Sequence, residues 1–204
     1  MPERTTKTGP VDGFVLPGGC GKDALLLHTC CAPCSTVTVP AWRSDGLEPA
    51  AFFHNPNIAP GAEFARRLTA MRLLAAALDL ALEVGPRPDE TRLVAEGAAP
   101  ARCRRCIGRR LDETARRARE LGVTRFATTL ALSPYQPHDV IRDCGEEAAA
   151  RHGVEFLYVD QRGLFQRHYD ECRRLGLYRQ PYCGCAAGKW EAWHERAARR
   201  RRSV

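Results

Sequence analysis

The stretch Ala24-Leu25-Leu26-Leu27-His28-Thr29-Cys30-Cys31-Ala32-Pro33-Cys34 decides the fold of this chain. A continuous apolar run closed by His28 is the pattern of a parallel strand covered on both faces. It ends directly in a cysteine-rich turn. Pro33 suits a first helical position, so Ser35 to Arg43 is expected to form a short helix that Asp45-Gly46 breaks.

Further along, Ala50 to Phe53 reads as a second strand, followed by the turn-rich His54-Asn55-Pro56-Asn57. Phe64, Leu68, Met71, Ala75, Leu78 and Leu82 recur in steps of four and three, marking an amphipathic helix with Met71 in its core stripe. A third strand is expected near Leu82 to Val84, a helix from about Cys106 to Leu121, and a strand at Arg125 to Thr129. A helix at about Pro137 to His152 and a strand at Phe156 to Val159 follow, and Ala186 to Arg202 reads as a basic helix. Strands alternating with helices predict an α/β fold, a parallel sheet with helices on both faces. The layout is that of a HUP or PP-loop-like single domain. Right-handed crossovers then align the carboxyl ends of the strands along one edge, where ligand sites gather.

At 204 residues and 44% hydrophobic content, one core is the expectation. Residues 1–23, rich in Gly, Pro and Thr, read as a flexible extension in which Cys20 has no role; residues 24–186 form the main domain, and residues 187–204 a basic helix or tail. The polar start MPERTTKTGPVDGF lacks a secretory apolar region, and no run of about eighteen apolar residues occurs, so a cytoplasmic protein without membrane contact is expected. Of the formal charge of +7, residues 189–204 supply +4, with six basic side chains against Glu191 and Glu195. Such an end suits phosphates of a nucleic acid, and a solvated helix terminus explains it equally well.

Ten cysteines in a cytosolic chain point to metal binding or redox chemistry, because cellular reductants keep ordinary thiols reduced. Cys30-Cys31 after the first strand, Cys103-x-x-Cys106 before a helix, and Cys183-Gly184-Cys185 are placed to converge at the sheet edge. Adjacent cysteines are unusual in zinc knuckles, which shifts the balance from structural zinc toward an iron–sulfur cluster. One glycine between Cys183 and Cys185 allows a strained, easily reduced disulfide, and a second pair of metal ligands is the other reading. Cys144 and Cys172 read as inert buried thiols.

Arg102, Arg104, Arg105, Arg109 and Arg110 would lower thiolate pKa values or meet phosphates, or simply solvate a helix face. His28, ending an apolar strand, reads as a satisfied core residue. Tyr135 and Tyr182 are candidates for stacking on bases, and the Asn55-Pro56-Asn57 turn has a sufficient explanation in turn chemistry.

Five motifs stand in a fixed order: LLLHTCCAPCS (25–35), FFHNPNIAPGAEFARR (52–67), RCRRCIGRRLDETARRA (102–118), FATTLALSPYQ (126–136) and YRQPYCGC (178–185). Together they resemble the QueH family of epoxyqueuosine reductases, from about Leu25 to Cys185. The resemblance implies a cobalamin-independent enzyme that reduces epoxyqueuosine to queuosine at the wobble position of tRNA anticodons, supplied by an unidentified electron donor. It implies a 4Fe-4S cluster on Cys30, Cys31, Cys103 and Cys106, with Cys183 and Cys185 as a redox-active pair. It also implies a second metal, a mononuclear iron or another, for which Asp160 matches a recurring acidic position. Ile107 and Ala186-Ala187-Gly188 depart from the family pattern without removing a proposed ligand.

Two rival functions stand beside this one. An ATP-dependent tRNA-modifying enzyme of the PP-loop class needs a glycine cradle after the first strand, where this chain has Thr29-Cys30-Cys31-Ala32-Pro33-Cys34-Ser35. A non-enzymatic zinc module that binds RNA through the basic tail would be colourless and stable in air.

Overall fold

The apolar run forms β1 (Ala24–His28), buried at every residue. It lies at the centre of a five-stranded parallel sheet of order β3-β2-β1-β4-β5, with β2 (Glu48–Phe53), β3 (Leu82–Val84), β4 (Arg125–Thr128) and β5 (Glu155–Phe156). Leu26 sits opposite Ala50 on one side and Phe126 on the other. The computed structural model describes Phe14, Leu16, Gly19 and residues 21–86 and 99–202.

Alternation along β1 builds a core on each face. Leu25 and Leu27 pack with Phe53, Met71 and Leu74, on the side of α1 (Ala32–Ser44) and α2 (Gly61–Ala77). Leu26 and Phe52 face the other way, onto Leu111 of α3 (Ala101–Glu120) and Ile141 of α4 (His138–His152). Leu25, Leu26 and Leu27 are fully inaccessible, each contributing roughly 1.5–3 kcal/mol by burial. Charge in the layer between sheet and helix is paired: Arg117 of α3 meets Glu83 of β3 at 2.8 Å, both nearly buried.

The chain runs outward from β1 through β2 to β3, then returns across β1 to lay down β4 on its other side. The order therefore reverses between β1 and β4. The carboxyl ends of strands flanking such a switch point diverge and leave a crevice, so the segments after β1 and β4 form the natural ligand site.

Several element boundaries differ from expectation for identifiable reasons. Helix α1 begins at Ala32, before Ser35, because the cysteine turn itself starts the helix with Pro33 in its first turn. Helix α3 begins at Ala101, ahead of Cys106, so both cysteines of Cys103-x-x-Cys106 ride within the helix. Strand β5 is confined to Glu155–Phe156, an edge strand with one neighbour, and Tyr158 beyond it packs against side chains. An additional helix, α5 (Phe165–Arg174), lies against α1 through a stripe containing His168 and Cys172, too sparse in apolar residues to announce itself. Helix α6 spans Ala186–Arg202. Leu16 is buried in the core beside α3 and α4, so this part of the proposed flexible extension packs; residues 1–13 and Cys20 lie outside the described residues.

Gly145 on α4 is set by close packing. A Cβ there would lie 2.1 Å from the ring of Phe156, itself packed against Phe126 at 4.9 Å. Helix propensity favours alanine by about 1 kcal/mol, whereas overpacking a core costs about 1–3 kcal/mol. Gly145→Ala is therefore expected to lower the thermal midpoint by a few degrees; an unchanged or raised Tm would show that the Phe156 ring gives way freely.

Candidate metal centre

The site starts from His28, the last residue of β1. Its imidazole is wholly buried: Nε2 donates to the carbonyl of His54 at 3.1 Å, and Nδ1 accepts from the Thr128 hydroxyl at 2.8 Å. Burial pulls its pKa down to about 3, with Arg110 adding to the effect, so the ring is neutral. One side chain thus pins together the ends of β1, β2 and β4. The pin continues into the next residues: Thr29 N donates to Phe52 O, Asn55 Nδ2 donates to Thr29 O, and Cys30 N donates to Thr129 Oγ1 at 3.1 Å.

From that fixed point the chain turns into α1. Cys31 takes the N-cap position with extended backbone, and Cys34 falls in the first turn. The sulfurs of Cys30, Cys31 and Cys34 all lie within 4.8 Å of one another, with Cys30 and Cys31 at 3.6 Å. Partial positive charge at a helix amino terminus favours thiolate here. Hydrogen bonds from Cys31 and Cys34, and a further one from Thr129, hold Cys30 well below the usual thiol range. Burial pushes Cys31 up, and donation toward Cys30 and Cys31 pushes Cys34 up. Three thiols this close cannot all ionise unless a cation joins them.

Cys30 and Cys34 line a cleft of about 1110 Å³ together with Cys103, Cys106, Cys183 and Cys185. Side chains other than cysteine donate to three sulfurs, Thr129 Oγ1 to Cys30 (3.3 Å), Gln180 Nε2 to Cys31 (2.8 Å) and Arg110 Nη2 to Cys106 (3.2 Å), and the Gly188 amide donates to Cys185 (3.2 Å). Arg110 is buried, which works against its charge, yet Cys106, Cys30 and Cys183 more than offset that cost and raise its pKa. A buried guanidinium facing thiolates is the surrounding that an anionic metal–sulfur group requires.

Cys183 and Cys185 are free thiols with their sulfurs 3.8 Å apart. Gly184 between them has φ of 138°, and a Cβ there would press on Asn57 at 3.0 Å, so glycine is required. Arg67 of α2 holds the loop: it donates to the carbonyls of Tyr182 (2.9 Å) and Cys183 (3.0 Å) while paired with buried Glu63 at 2.7 Å. Glu63 also accepts from the Tyr178 hydroxyl. Donation from Cys185 brings the Cys183 pKa down to about 6 and drives Cys185 up, so the pair holds one proton between two sulfurs near neutral pH.

Asp160 stands outside the residues lining the cleft; its carboxylate is exposed and engaged by Arg162, which holds it at about 2. Arg104 turns to Asp143 and Glu147 of α4 and Arg102 to Glu191 of α6, whereas Arg105 and Arg109 line the cleft. Tyr182 is buried with its hydroxyl on Ala59 O, and Tyr135 is exposed at the cleft. Cys144 and Cys172 are buried with raised pKa values, as inert thiols should be. Sequence reasoning did not single out Arg67, Thr129 or Gln180, although all three lie inside the quoted motifs. Asn57 lines the cleft with both amide atoms lacking a protein partner among the described residues.

The fold and site define a class: a doubly wound α/β protein whose strand-edge cleft carries a thiol group able to hold a metal. Residues 25–191 match the family model for epoxyqueuosine reductase QueH, and the chain belongs to that family. Curated relatives of that name include one from Dehalococcoides mccartyi, 37% identical over 82% of this chain and 93% of its own length. Another, from Thermotoga maritima, is 33% identical over 79% and 88%. Among solved structures, a deacetylase of teicoplanin biosynthesis has a TM-score of 0.42 at 17% identity over 65% of each chain.

If Cys185 is what acidifies Cys183, anaerobic alkylation followed peptide by peptide is expected to show Cys183 reacting with a midpoint near pH 6. In Cys185→Ala the midpoint should move toward the ordinary thiol value of about 8.5. A midpoint that stays near pH 6 in the variant would assign the effect to Arg67 and Arg110 instead.

Proposed function

We propose that this chain reduces epoxyqueuosine to queuosine at the wobble position of tRNA anticodons, using a 4Fe-4S cluster and a redox-active dithiol. The observation that carries the reading is the convergence of six cysteines on one cleft, from three distant parts of a chain of this family. Cys30, Cys31, Cys103 and Cys106 are the ligands in this reading. The thiol-only donor set and the buried Arg110 fit a soft, anionic iron–sulfur group better than a hard cation. Such a cluster supplies one-electron transfer and, where an iron is open, Lewis acidity toward an oxygen.

The remaining chemistry falls to the chain's own side chains. Opening the epoxide to an alkene takes two electrons and two protons and releases the oxygen as water. Cys183 and Cys185 supply both electrons as one S–S bond forms between their sulfurs; the one proton they share near neutral pH goes to the departing oxygen, the second proton comes from water, and an external reductant then restores the pair. In that restoration the low pKa of Cys183 makes its sulfur the better leaving group, so the reductant attacks Cys185. Arg67 keeps the pair facing the cleft, and the closed His28 network excludes water from behind the ligands. Asp160 could join a second metal only by releasing Arg162, so Cys34, already inside the thiol group, is the better-placed additional ligand in this reading. The enzyme works in the cytoplasm, beside its tRNA.

The test is metal and acid-labile sulfide content on protein purified without oxygen. About four irons and four sulfides are expected in the parent, lost in the Cys103→Ala, Cys106→Ala double variant. A parent that holds only zinc after anaerobic reconstitution would replace the reductase reading with a zinc-bearing RNA binder. In a single turnover with the cluster reduced beforehand, Cys183→Ser is expected to lose most of its epoxide reduction; full turnover in that variant would remove the dithiol from the mechanism.

A further inference from the structure

Tyr135, Phe165 and Tyr169 line the cleft with the cysteines. Tyr135 is 77% exposed, although burying a ring of that size would stabilise the fold. It meets Phe165 edge-on at 5.8 Å, and Phe165 meets Tyr169 edge-on at 5.5 Å. The guanidinium of Arg179 lies over Tyr169 at 4.2 Å. All four side chains line the cleft, and none is needed for the dithiol or the thiol group.

With one T-shaped neighbour and most of its surface exposed, the Tyr135 ring remains open to the cleft. The segment carrying Tyr135 is held in place by a turn in which Tyr135 N donates to Ser133 Oγ and Gln136 N donates to Ser133 O. A rigid, open aromatic face next to a stacked guanidinium is the arrangement that takes unstacked nucleobases. The same cleft carries exposed Arg109, a cation placed for phosphate. Its volume of about 1110 Å³ exceeds the roughly 300–1,000 Å³ typical of a small-molecule pocket, so it has room for more than the reacting nucleotide.

We infer that Tyr135, Phe165 and Tyr169 form a stacking site for a nucleobase flanking the modified one, with Arg109 on the adjoining phosphate. The inference rests on the reading of the substrate as a tRNA anticodon. It assigns to the loop after β4 and to α5 the task of opening the anticodon stack, which frees the modified nucleotide to reach the cysteines. A structural role for Tyr135 alone would not require it to be exposed, and a role for its hydroxyl would not require the aromatic neighbours.

The experiment uses the anaerobically purified, cluster-bearing full chain and an anticodon stem-loop RNA with unmodified guanosine at the wobble position, binding being followed by fluorescence anisotropy. Stacking on one base corresponds to about a 5- to 150-fold loss of affinity on removal of the ring. Tyr135→Ala is expected to lose that much with its visible spectrum intact, while Tyr135→Phe stays within about twofold. With modified tRNA, kcat/KM should fall in Tyr135→Ala and stay near the parental value in Tyr135→Phe. The salt dependence of binding should keep its slope in Tyr135→Ala and become shallower by about 0.7 in Arg109→Ala. Parental binding that survives both Tyr135→Ala and Tyr169→Ala, or is lost equally in Tyr135→Phe, overturns the stacking site alone. A parent that binds no RNA overturns the tRNA reading and this site with it.

Discussion

Everything at the active edge depends on a neutral, buried imidazole. His28 is held at both ring nitrogens by groups at the ends of the two strands that flank its own, and a charged ring there would have to reverse the Thr128 hydrogen bond and carry its charge in a site closed to water. The Thr128 oxygen in turn accepts from Leu130 N, which starts the short 3-10 turn after β4. Thr129 then faces Cys30 with both its roles, accepting from the amide and donating to the sulfur. The crevice that the strand order creates is thereby given fixed walls. Without that network, the two loops at the switch point would be ordinary mobile connections, and thiols on them could not be kept within a cluster's dimensions.

The second constraint is charge. Arg67 and Arg110, both buried at the cleft, are balanced differently. Arg67 has a resident partner in Glu63 and spends its other donors on backbone carbonyls, so its work is mechanical. Arg110 lies against sulfurs, so its balance depends on how many of them are ionised. A buried ion pair contributes little net stability but is costly to break, because the survivor is left unpaired. Folding therefore tolerates Arg110 at the price of favouring thiolate nearby, and thiolate is the form that binds metal.

The sequence made the middle of the fold plain and left its margins obscure. β1 was legible because all five residues are buried, so no alternation competes with the apolar run. β3 likewise falls where its residues predict. The start of α3 was hidden because its first turn, Ala101 to Arg104, is arginine-rich and shows no apolar period. α5 was hidden because its buried face relies on His168 and Cys172, which do not read as apolar. The same contrast holds in the site. Cysteines declare themselves by type and spacing, but the donors that serve them do so only through folding: Gln180 lies 149 residues from Cys31, and Thr129 99 residues from Cys30. No local pattern links such pairs. Position within a motif marked these residues, and only geometry says what each does.

The division of labour proposed for the cysteines agrees with where they are anchored. Cys30 and Cys31 follow the end of a central strand, where hydrogen bonds fix the turn, and Cys103 and Cys106 lie within a long helix packed on the sheet, so these four are carried by or directly beside regular elements. A cluster ligand gains from such anchoring, since every ångström of slack weakens all four bonds together. Cys183 and Cys185 sit on a loop that touches the body through Arg67, the Gly184 carbonyl and the Tyr182 hydroxyl. A dithiol must shorten its sulfur separation from 3.8 Å to about 2 Å and lengthen it again in each cycle. A loop tethered by hydrogen bonds can make that change without moving the sheet. Gly188 sets the space available to it, because a Cβ there would approach Cys183 Sγ to 2.6 Å and block the sulfur's return. In the proposed reading, ligands held by strand and helix and a redox pair held by a loop share one cleft.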